Sequence, residues 1–142
     1  MPALNNWLIF AVGSAVFAAL TAILGKLGVG EINSNFATFI RTVVILLLTL
    51  GVVTFRNDWQ PLHRLSGFGV TMLLLSGIAT GLSWLCYYRA LQLGPASKVA
   101  PIDKLSVVMV IVCAALFLKE PLTWKTALGG FLVTAGAVVI AL

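Results

Sequence analysis

Five long apolar segments, separated by short polar joints, constrain the fold of this chain more than any other feature of its sequence. One of them includes the run from Val43 to Val53, which holds no charged residue. A helix needs about 20 apolar residues to cross a hydrocarbon core that is about 30 Å thick. The length of 142 residues therefore leaves room for about five membrane-spanning helices.

The composition excludes a water-soluble domain. Charged residues make up 9% of the chain and hydrophobic residues 61%, with a mean hydropathy of +1.09. Soluble domains carry about 25% charged residues, so this chain cannot cover a surface that faces water. A transmembrane barrel is also excluded, because the runs lack an alternation of apolar and polar positions. The sequence predicts an all-α integral membrane protein, with five transmembrane helices in one domain over residues 1–142.

Polar and small residues set the expected bounds and contacts of these helices. We expect spans over about 7–27, 35–55, 67–93, 95–118 and 124–142. The expected N-caps are Asn5 or Asn6, one of residues 33–35, Ser66 and Thr123. Close approach of another helix is expected at Gly77, Gly81, Gly129, Gly130 and Gly136.

The joint between the third and fourth spans is very short. Gly94 is expected to close the third span, and Pro95 is expected at the first helical position of the fourth. Such a joint makes these two spans antiparallel neighbours. Pro101 follows in the second turn of the fourth span, where it cannot donate a backbone hydrogen bond and therefore predicts a kink.

The basic residues divide almost evenly between the two sides of the membrane. Four lie on the side of the N-terminus and five on the other side. They are Arg56, Arg64, Lys119 and Lys125 on the first side, and Lys26, Arg41, Arg89, Lys98 and Lys104 on the second. Cytoplasmic loops normally carry the excess of Lys and Arg, so this balance predicts a dual or weakly fixed topology.

The second side also gathers the charges that lie inside spans. They are Arg41, Arg89, Asp103 and Lys104, and Asp103 is the one acid clearly inside a span. Neighbouring helical residues point about 100° apart and pair poorly, so Asp103 is expected to meet Arg41 or Arg89 instead of Lys104. Two interpretations remain open, a buried ion pair that fixes helix register, and a site for a substrate carboxylate or a coupling proton. Arg41 is also shallow enough to snorkel to the interface.

Three aromatic residues flank this charged cluster. Trp84 and Tyr88 are four residues apart and share a helical face, with Tyr87 beside them. The tyrosines fit either an interfacial belt or the wall of a site. Trp84 is too deep for a belt, so it packs in a core or lines a cavity.

Several classes of protein lack support in the sequence. No Ser/His/Asp set, metal-ligand cluster or phosphate-binding loop is visible, so we expect neither an enzyme nor a cofactor or metal site. Cys86 and Cys113 lie in mid-span, where buried packing thiols are expected. The basic residues form no run, so nucleic acid is not an expected partner.

Motifs at four places carry a resemblance to a known family. The segment YYRAL-x-x-GPASKVAPIDKLS crosses from the third span to the fourth, FIRT holds Arg41, and FLKEPLTW precedes GG-x-x-x-x-x-G in the fifth span. With Lys26 ending the first span, the chain resembles a single EamA-type domain of the drug/metabolite transporter superfamily, most of all its short five-span bacterial and archaeal members. Lys119 departs from the family pattern, which often has glycine before the acid at Glu120.

The resemblance implies half of a ten-helix inverted-repeat transporter fold, in the inner membrane of a prokaryotic cell. Larger members fuse two such domains in opposite orientation around a substrate cavity. One such domain supplies one wall, so the partners we expect are a second copy, possibly antiparallel, a small-molecule substrate and the lipid bilayer.

The first hypothesis is therefore a secondary transporter, an exporter or exchanger, of a small anionic or zwitterionic metabolite. The second side of the membrane has five basic residues against Glu31 and Asp103, a net charge of +3. The expected substrate-binding residues are Arg41, Arg89 and Lys104 for the anionic group, Asp103 for a proton or an amine, and Trp84, Tyr87 and Tyr88 as the cavity wall. The alternative is a non-transporting membrane subunit, or one half of a hetero-oligomeric lipid-carrier flippase.

Overall fold

A computed structural model of the protein describes residues 6–142, and all regular structure in this range is helical. The α-helices are α1 (Asn6–Gly28), α2 (Ser34–Phe55), α3 (Gly67–Leu93), α4 (Ala96–Asp103), α5 (Leu105–Phe117) and α6 (Trp124–Ala141). A 3₁₀ turn, Leu62–Arg64, lies between α2 and α3. Asn5 and the side chain of Asn6, the expected caps of α1, lie outside the described part of the chain.

Five helical segments are long and apolar enough to cross a membrane, which confirms the predicted all-α membrane fold. They are α1 from Trp7, α2, α3, the pair α4 and α5 taken together, and α6. The predicted bounds agree with the observed helices to within one residue at each end. This agreement has a physical cause, since a helix begins where its first amides find acceptors and ends where an apolar run meets a polar joint.

The chain divides into two compact units. One unit holds residues 1–26 and 93–142, and thus most of α1 with α4, α5 and α6. The other holds residues 27–92, which form α2, the 3₁₀ turn and nearly all of α3. Val29 and Leu91, both in this second unit, are almost completely buried.

In the first unit α6 packs against both α4 and α5. Gly130 and Ala137 are the buried residues of α6. A Cβ atom on Gly130 would lie 3.4 Å from Cδ1 of Ile111 on α5, which confirms the predicted close approach at this glycine. No described atom lies within 4 Å of an added Cβ on Gly129 or Gly136, so close approach of another helix there stays a prediction.

Two other predicted contact positions lie on open faces of the protomer. No described atom lies within 4 Å of a Cβ placed on Gly77 or Gly81 of α3. Cys86 and Cys113 are exposed, so the prediction of buried thiols is wrong. The reason is sparse packing, since no residue is buried in the most apolar stretch of α3 or of the span formed by α4 and α5.

Predicted caps begin three of the helices. The side-chain oxygens of Asn33, Ser66 and Thr123 accept the amides of Asn35, Gly69 and Thr126 at 2.9, 3.4 and 3.2 Å. Pro95 has extended backbone angles, φ −69° and ψ 138°, and precedes α4. It is therefore the N-cap residue, and its expected place at the first helical position is wrong by one residue.

The fourth span is interrupted at Lys104, between α4 and α5. The amide of Lys104 donates to the carbonyl of Pro101 at 3.1 Å, and the amide of Val107 donates to the carbonyl of Lys104 at 3.0 Å. Both bonds span three residues, so the backbone tightens here from the α-helical to the 3₁₀ spacing. The helix continues through Pro101, where a kink was expected, and the interruption lies three residues further along the chain.

Polar side chains from neighbouring helices bind the carbonyls at helix ends. Nζ of Lys26 donates to the carbonyl of Gly94, just after α3, at 2.8 Å. Nζ of Lys98 donates to the carbonyl of Ala141, the last residue of α6, at 3.0 Å. The last four carbonyls of a helix have no partner within it and carry the negative end of its dipole. Each lysine therefore supplies both a donor and a favourable charge.

Gln92 has the same role in the second unit. Its Nε2 donates to the carbonyl of Ile32 at 3.2 Å and, more weakly, to that of Val29 at 3.4 Å. Both carbonyls lie in the segment that follows α1. The neutral side-chain amide of Gln92 thus donates hydrogen bonds to backbone carbonyls just after α1.

Lys119 adopts a backbone conformation that lysine disfavours. Its φ is 56°, in the left-handed region, and the amide of Glu120 returns to the carbonyl of Ala114 at 3.2 Å. The turn that closes α5 requires this conformation, and glycine adopts it without steric cost. This geometry explains why glycine is common at this position in the family that the sequence resembles.

Replacement of Lys119 by glycine should therefore stabilise the protein. We expect Lys119→Gly to raise the free energy of unfolding by about 1 kcal/mol, the cost of holding a Cβ in the left-handed region. Lys119→Ala removes the same charge but keeps the Cβ, so it should give no such gain. Reversible unfolding in detergent micelles measures both changes, and an equal gain for the two variants would contradict the backbone explanation.

Loss of the lysine cap on α6 should destabilise the protein. Lys98→Met keeps an apolar stem but removes the donor to Ala141, and we expect it to lower the free energy of unfolding by about 1 kcal/mol. Lys125→Met is the matched control, because this lysine lies in the first turn of α6, where a positive charge opposes the dipole. A loss in the control as large as that in Lys98→Met would show that the cap has no specific effect.

Candidate functional site

The predicted site residue Arg41 reaches from α2 to two aromatic rings of α3. Its Cζ lies 4.1 Å from the ring centroid of Trp84 and 5.1 Å from that of Tyr88. Both distances are within the range of cation–π attraction, which is worth about 0.5–2 kcal/mol depending on desolvation. The contacts confirm that Trp84 and Tyr88 share one helical face.

Tyr88 is buried, with 5% of its surface exposed, and Tyr87 is half-buried. The two rings are 6.3 Å apart at an interplanar angle of 62°, an edge-to-face arrangement. Burial of Tyr88 beside Arg41 favours a packed cluster over an interfacial belt for this tyrosine. Trp84 is half-buried at the same place, as its depth in the span predicts.

One guanidinium nitrogen of Arg41 is buried without a hydrogen bond. Among the described residues Nη1 has no acceptor, although the side chain as a whole is partly exposed. The aromatic rings attract the positive charge, but they supply no acceptor oxygen to the N–H groups. A buried donor that lacks an acceptor costs about 1–3 kcal/mol.

Arg89 has a different environment from Arg41. Its Nη1 donates to Oε1 of Gln92 at 2.8 Å, and its side chain is exposed. Gln92 in turn bonds the carbonyls after α1, so Arg89 belongs to a helix-end network. Sequence reasoning missed Gln92. Its place three residues after Arg89, in the last turn of α3, was the available signal.

Asp103 and Lys104 lie together in the first unit. Oδ2 of Asp103 is 3.4 Å from Nζ of Lys104, and the two side chains are 36% and 54% exposed. The expectation that these neighbours do not pair was therefore wrong. It assumed a continuous helix, whereas α4 ends at Asp103 and Lys104 lies in the tightened turn. The pairing of Asp103 with Arg41 or Arg89 of the other unit stays a prediction.

A cavity of about 110 Å³ lies elsewhere, between α5, α6 and the joint that connects them. Its polar lining groups come from Glu120 and Thr126, and the other lining residues are aliphatic or proline. None of the seven predicted site residues lines it. We therefore place the candidate site at the cluster of Arg41 and the aromatic rings.

The sequence is similar, over nearly its whole length, to a transporter family and to proteins named uncharacterized transporters. Residues 5–142 match the EamA-like transporter family. A Sinorhizobium sp. protein named uncharacterized transporter in cobO 3'region is 50% identical over 137 residues, which are 96% of this chain and 97% of that protein. The Bacillus subtilis (strain 168) uncharacterized transporter YvbV is 27% identical over 134 residues, 93% of this chain and 43% of that protein.

No solved structure matches the chain significantly. The family match covers all five membrane-spanning segments, as well as the cluster of Arg41, Trp84 and Tyr88. The chain belongs to the EamA-like transporter family.

Proposed function

We propose that the protein is a secondary transporter that exports or exchanges a small anionic or zwitterionic metabolite, acting as a homodimer of half-transporters. The observation that carries the proposal is the share of each relative's length that this chain matches. The Sinorhizobium protein is matched over 97% of its length, whereas YvbV is matched over only 43%. The chain therefore matches nearly the whole of a short relative and less than half of a long one.

An alternating-access mechanism explains why a half-transporter of five spans would act together with a second copy. Inverted-repeat transporters move one repeat against another around a site between them. Five spans supply one such repeat, so a second copy would provide the other wall. The open face of α3 at Gly77 and Gly81 supports this, because small residues without a neighbour in the protomer allow a helix of a second copy to approach closely.

The charge of the proposed site favours an acidic group on the substrate. Lys26 and Lys98 bind helix-end carbonyls, which leaves Arg41, Arg89 and Lys104 as the other basic residues of that side. In the proposed site these three attract the anionic group, and Asp103 binds an amine or exchanges a proton. Trp84, Tyr87 and Tyr88 form the wall. A solute with a carboxylate, with or without an amine, fits this set of groups.

The proposed role of Asp103 is tested by Asp103→Asn. We expect solute exchange in liposomes to fall by about tenfold or more, while stability changes by less than about 1 kcal/mol, because the partly exposed pair with Lys104 contributes little. The solute is the one that best stabilises the purified chain in a thermal-shift screen of anionic and zwitterionic metabolites. The matched control is Asp58→Asn, since Asp58 forms an exposed pair with Arg56 outside the spans. Normal exchange with a lowered melting temperature would leave Asp103 a structural role only.

The antiparallel arrangement is tested by the topology of the chain. We expect reporters fused to the C-terminus to show both cytoplasmic and external signals, because four basic residues face five across the membrane. Two or three lysines added to one side should shift the signal to a single side. A reporter that reads one side only in the unmodified chain, together with parallel crosslinks between protomers, would exclude the antiparallel dimer.

Solute exchange by the purified chain alone also distinguishes the two hypotheses of function. Exchange by this chain in liposomes without other proteins supports the homodimer. Exchange that appears only when an unlike membrane protein is added supports the hetero-oligomeric alternative.

A further inference from the structure

Five basic side chains lie on the side of the membrane that carries the proposed site. They differ in the hydrogen-bond acceptors that their N–H groups have. Four of them bind acceptors within the chain. These are Lys26 with the Gly94 carbonyl, Lys98 with the Ala141 carbonyl, Arg89 with Gln92, and Lys104 with Asp103. The fifth is Arg41, whose buried Nη1 has no acceptor among the described residues. Among the described residues, the buried N–H group that lacks an acceptor therefore belongs to Arg41.

The rings of α3 contact the guanidinium of Arg41 without accepting a hydrogen bond from its Nη1. Trp84, at 4.1 Å, and Tyr88, at 5.1 Å, interact with the guanidinium through their π-systems. The N–H groups of a guanidinium point outward in its own plane, and hydrogen bonds form at this edge. Trp84 and Tyr88 therefore restrict the plane of Arg41 without satisfying Nη1.

A carboxylate is the acceptor that suits this arrangement. It is planar, it carries the opposite charge, and its hydrogen bonds to arginine are about twice as strong as those between neutral groups. Partial burial strengthens the interaction further, because charges attract more strongly away from water. An uncharged amide offers a carbonyl oxygen of similar shape but lacks the charge.

We propose that Arg41 is the residue that binds the acidic group of the transported solute, with Nη1 donating to a carboxylate oxygen. Trp84 and Tyr88 are positioning residues that hold the guanidinium plane. Arg89, although equally basic, donates from its Nη1 to Oε1 of Gln92 at the end of α3. This inference rests on the proposed function, in which the solute is anionic or zwitterionic, and it assigns the anion to one of the three basic residues named there.

Binding of simple carboxylates to the purified full chain tests the proposal. The probes are acetate and benzoate, each compared with its uncharged amide, acetamide or benzamide, at constant ionic strength. We expect a saturable rise of the melting temperature with at least one carboxylate and none with its amide. Failure of both carboxylates to stabilise the chain would overturn the proposal.

Matched arginine variants then locate the binding group. Arg41→Lys keeps the charge but loses the planar edge and the stacking, and we expect about tenfold weaker carboxylate binding, the loss of one charged hydrogen bond. Arg56→Lys is the same substitution in the same unit, at a residue that forms an exposed pair with Asp58 outside the spans, and it should bind as the wild-type protein does. Equal binding by Arg41→Lys, or an equal loss in both variants, would contradict the assignment.

The stability of the unliganded variants separates a binding role from a structural one. Because Nη1 has no acceptor among residues 6–142, Arg41→Lys and Arg41→Gln should fold, with melting temperatures close to that of the wild-type protein. Variants that fail to fold would show that Arg41 is structural and would overturn the proposal.

The positioning role of Trp84 needs a conservative pair of variants. Trp84→Phe keeps an aromatic face and should retain carboxylate binding, whereas Trp84→Leu keeps bulk without the π-system and should lose it. Equal binding by the two variants would exclude a role of the ring in orienting Arg41.

Transport measurements distinguish this inference from the proposed function. Carboxylate binding that depends on Arg41, in a chain that moves no solute, would keep the anion site and reject the transporter proposal. Exchange at the wild-type rate and apparent affinity in Arg41→Lys would reject the anion site and keep the transporter.

Discussion

A hydrocarbon core offers no hydrogen-bond partner to the backbone, so each polar group of this chain must find its partner in the protein or near the interface. Helices meet this constraint along their length but leave four carbonyls open at each C-terminal end. Lys26, Lys98 and Gln92 donate to carbonyls at or just beyond helix ends. Lys26 and Lys98 therefore contribute to the fold, since their ammonium groups bind the carbonyls of Gly94 and Ala141.

The same constraint makes the position of Arg41 inside a span costly. A permanently charged side chain inside a span is costly, and such residues usually face a cavity or a functional partner. Trp84 and Tyr88 offset part of this cost through cation–π contacts, yet Nη1 is buried with no acceptor in the described part of the chain. A protein that only needed a stable fold would gain from an apolar residue here. A transporter needs a group that is poorly satisfied until the solute arrives, because binding is then strong and selective.

The number of spans, their bounds and the shared face of Trp84 and Tyr88 could be predicted, because apolar length, caps and helical periodicity are local properties of the sequence. The partner of a long polar side chain is not local. The carbonyls of Val29 and Ile32 that Gln92 binds lie 63 and 60 residues away in the sequence, so only its spacing from Arg89 was a local signal. Asp103 was assigned away from Lys104 because the break after α4 was not expected there. The buried thiols were also predicted wrongly, since a helix in a sparsely packed protomer keeps most of its faces open.

The central claim is that one five-span chain is half of a transporter, and counting copies in active vesicles tests it most directly. Purified chain carrying a C-terminal fluorescent protein is reconstituted into liposomes at low density, and photobleaching steps and solute exchange are recorded vesicle by vesicle. The account predicts exchange in vesicles with two bleaching steps and none in vesicles with one. Exchange at full rate in vesicles that hold a single copy would contradict it.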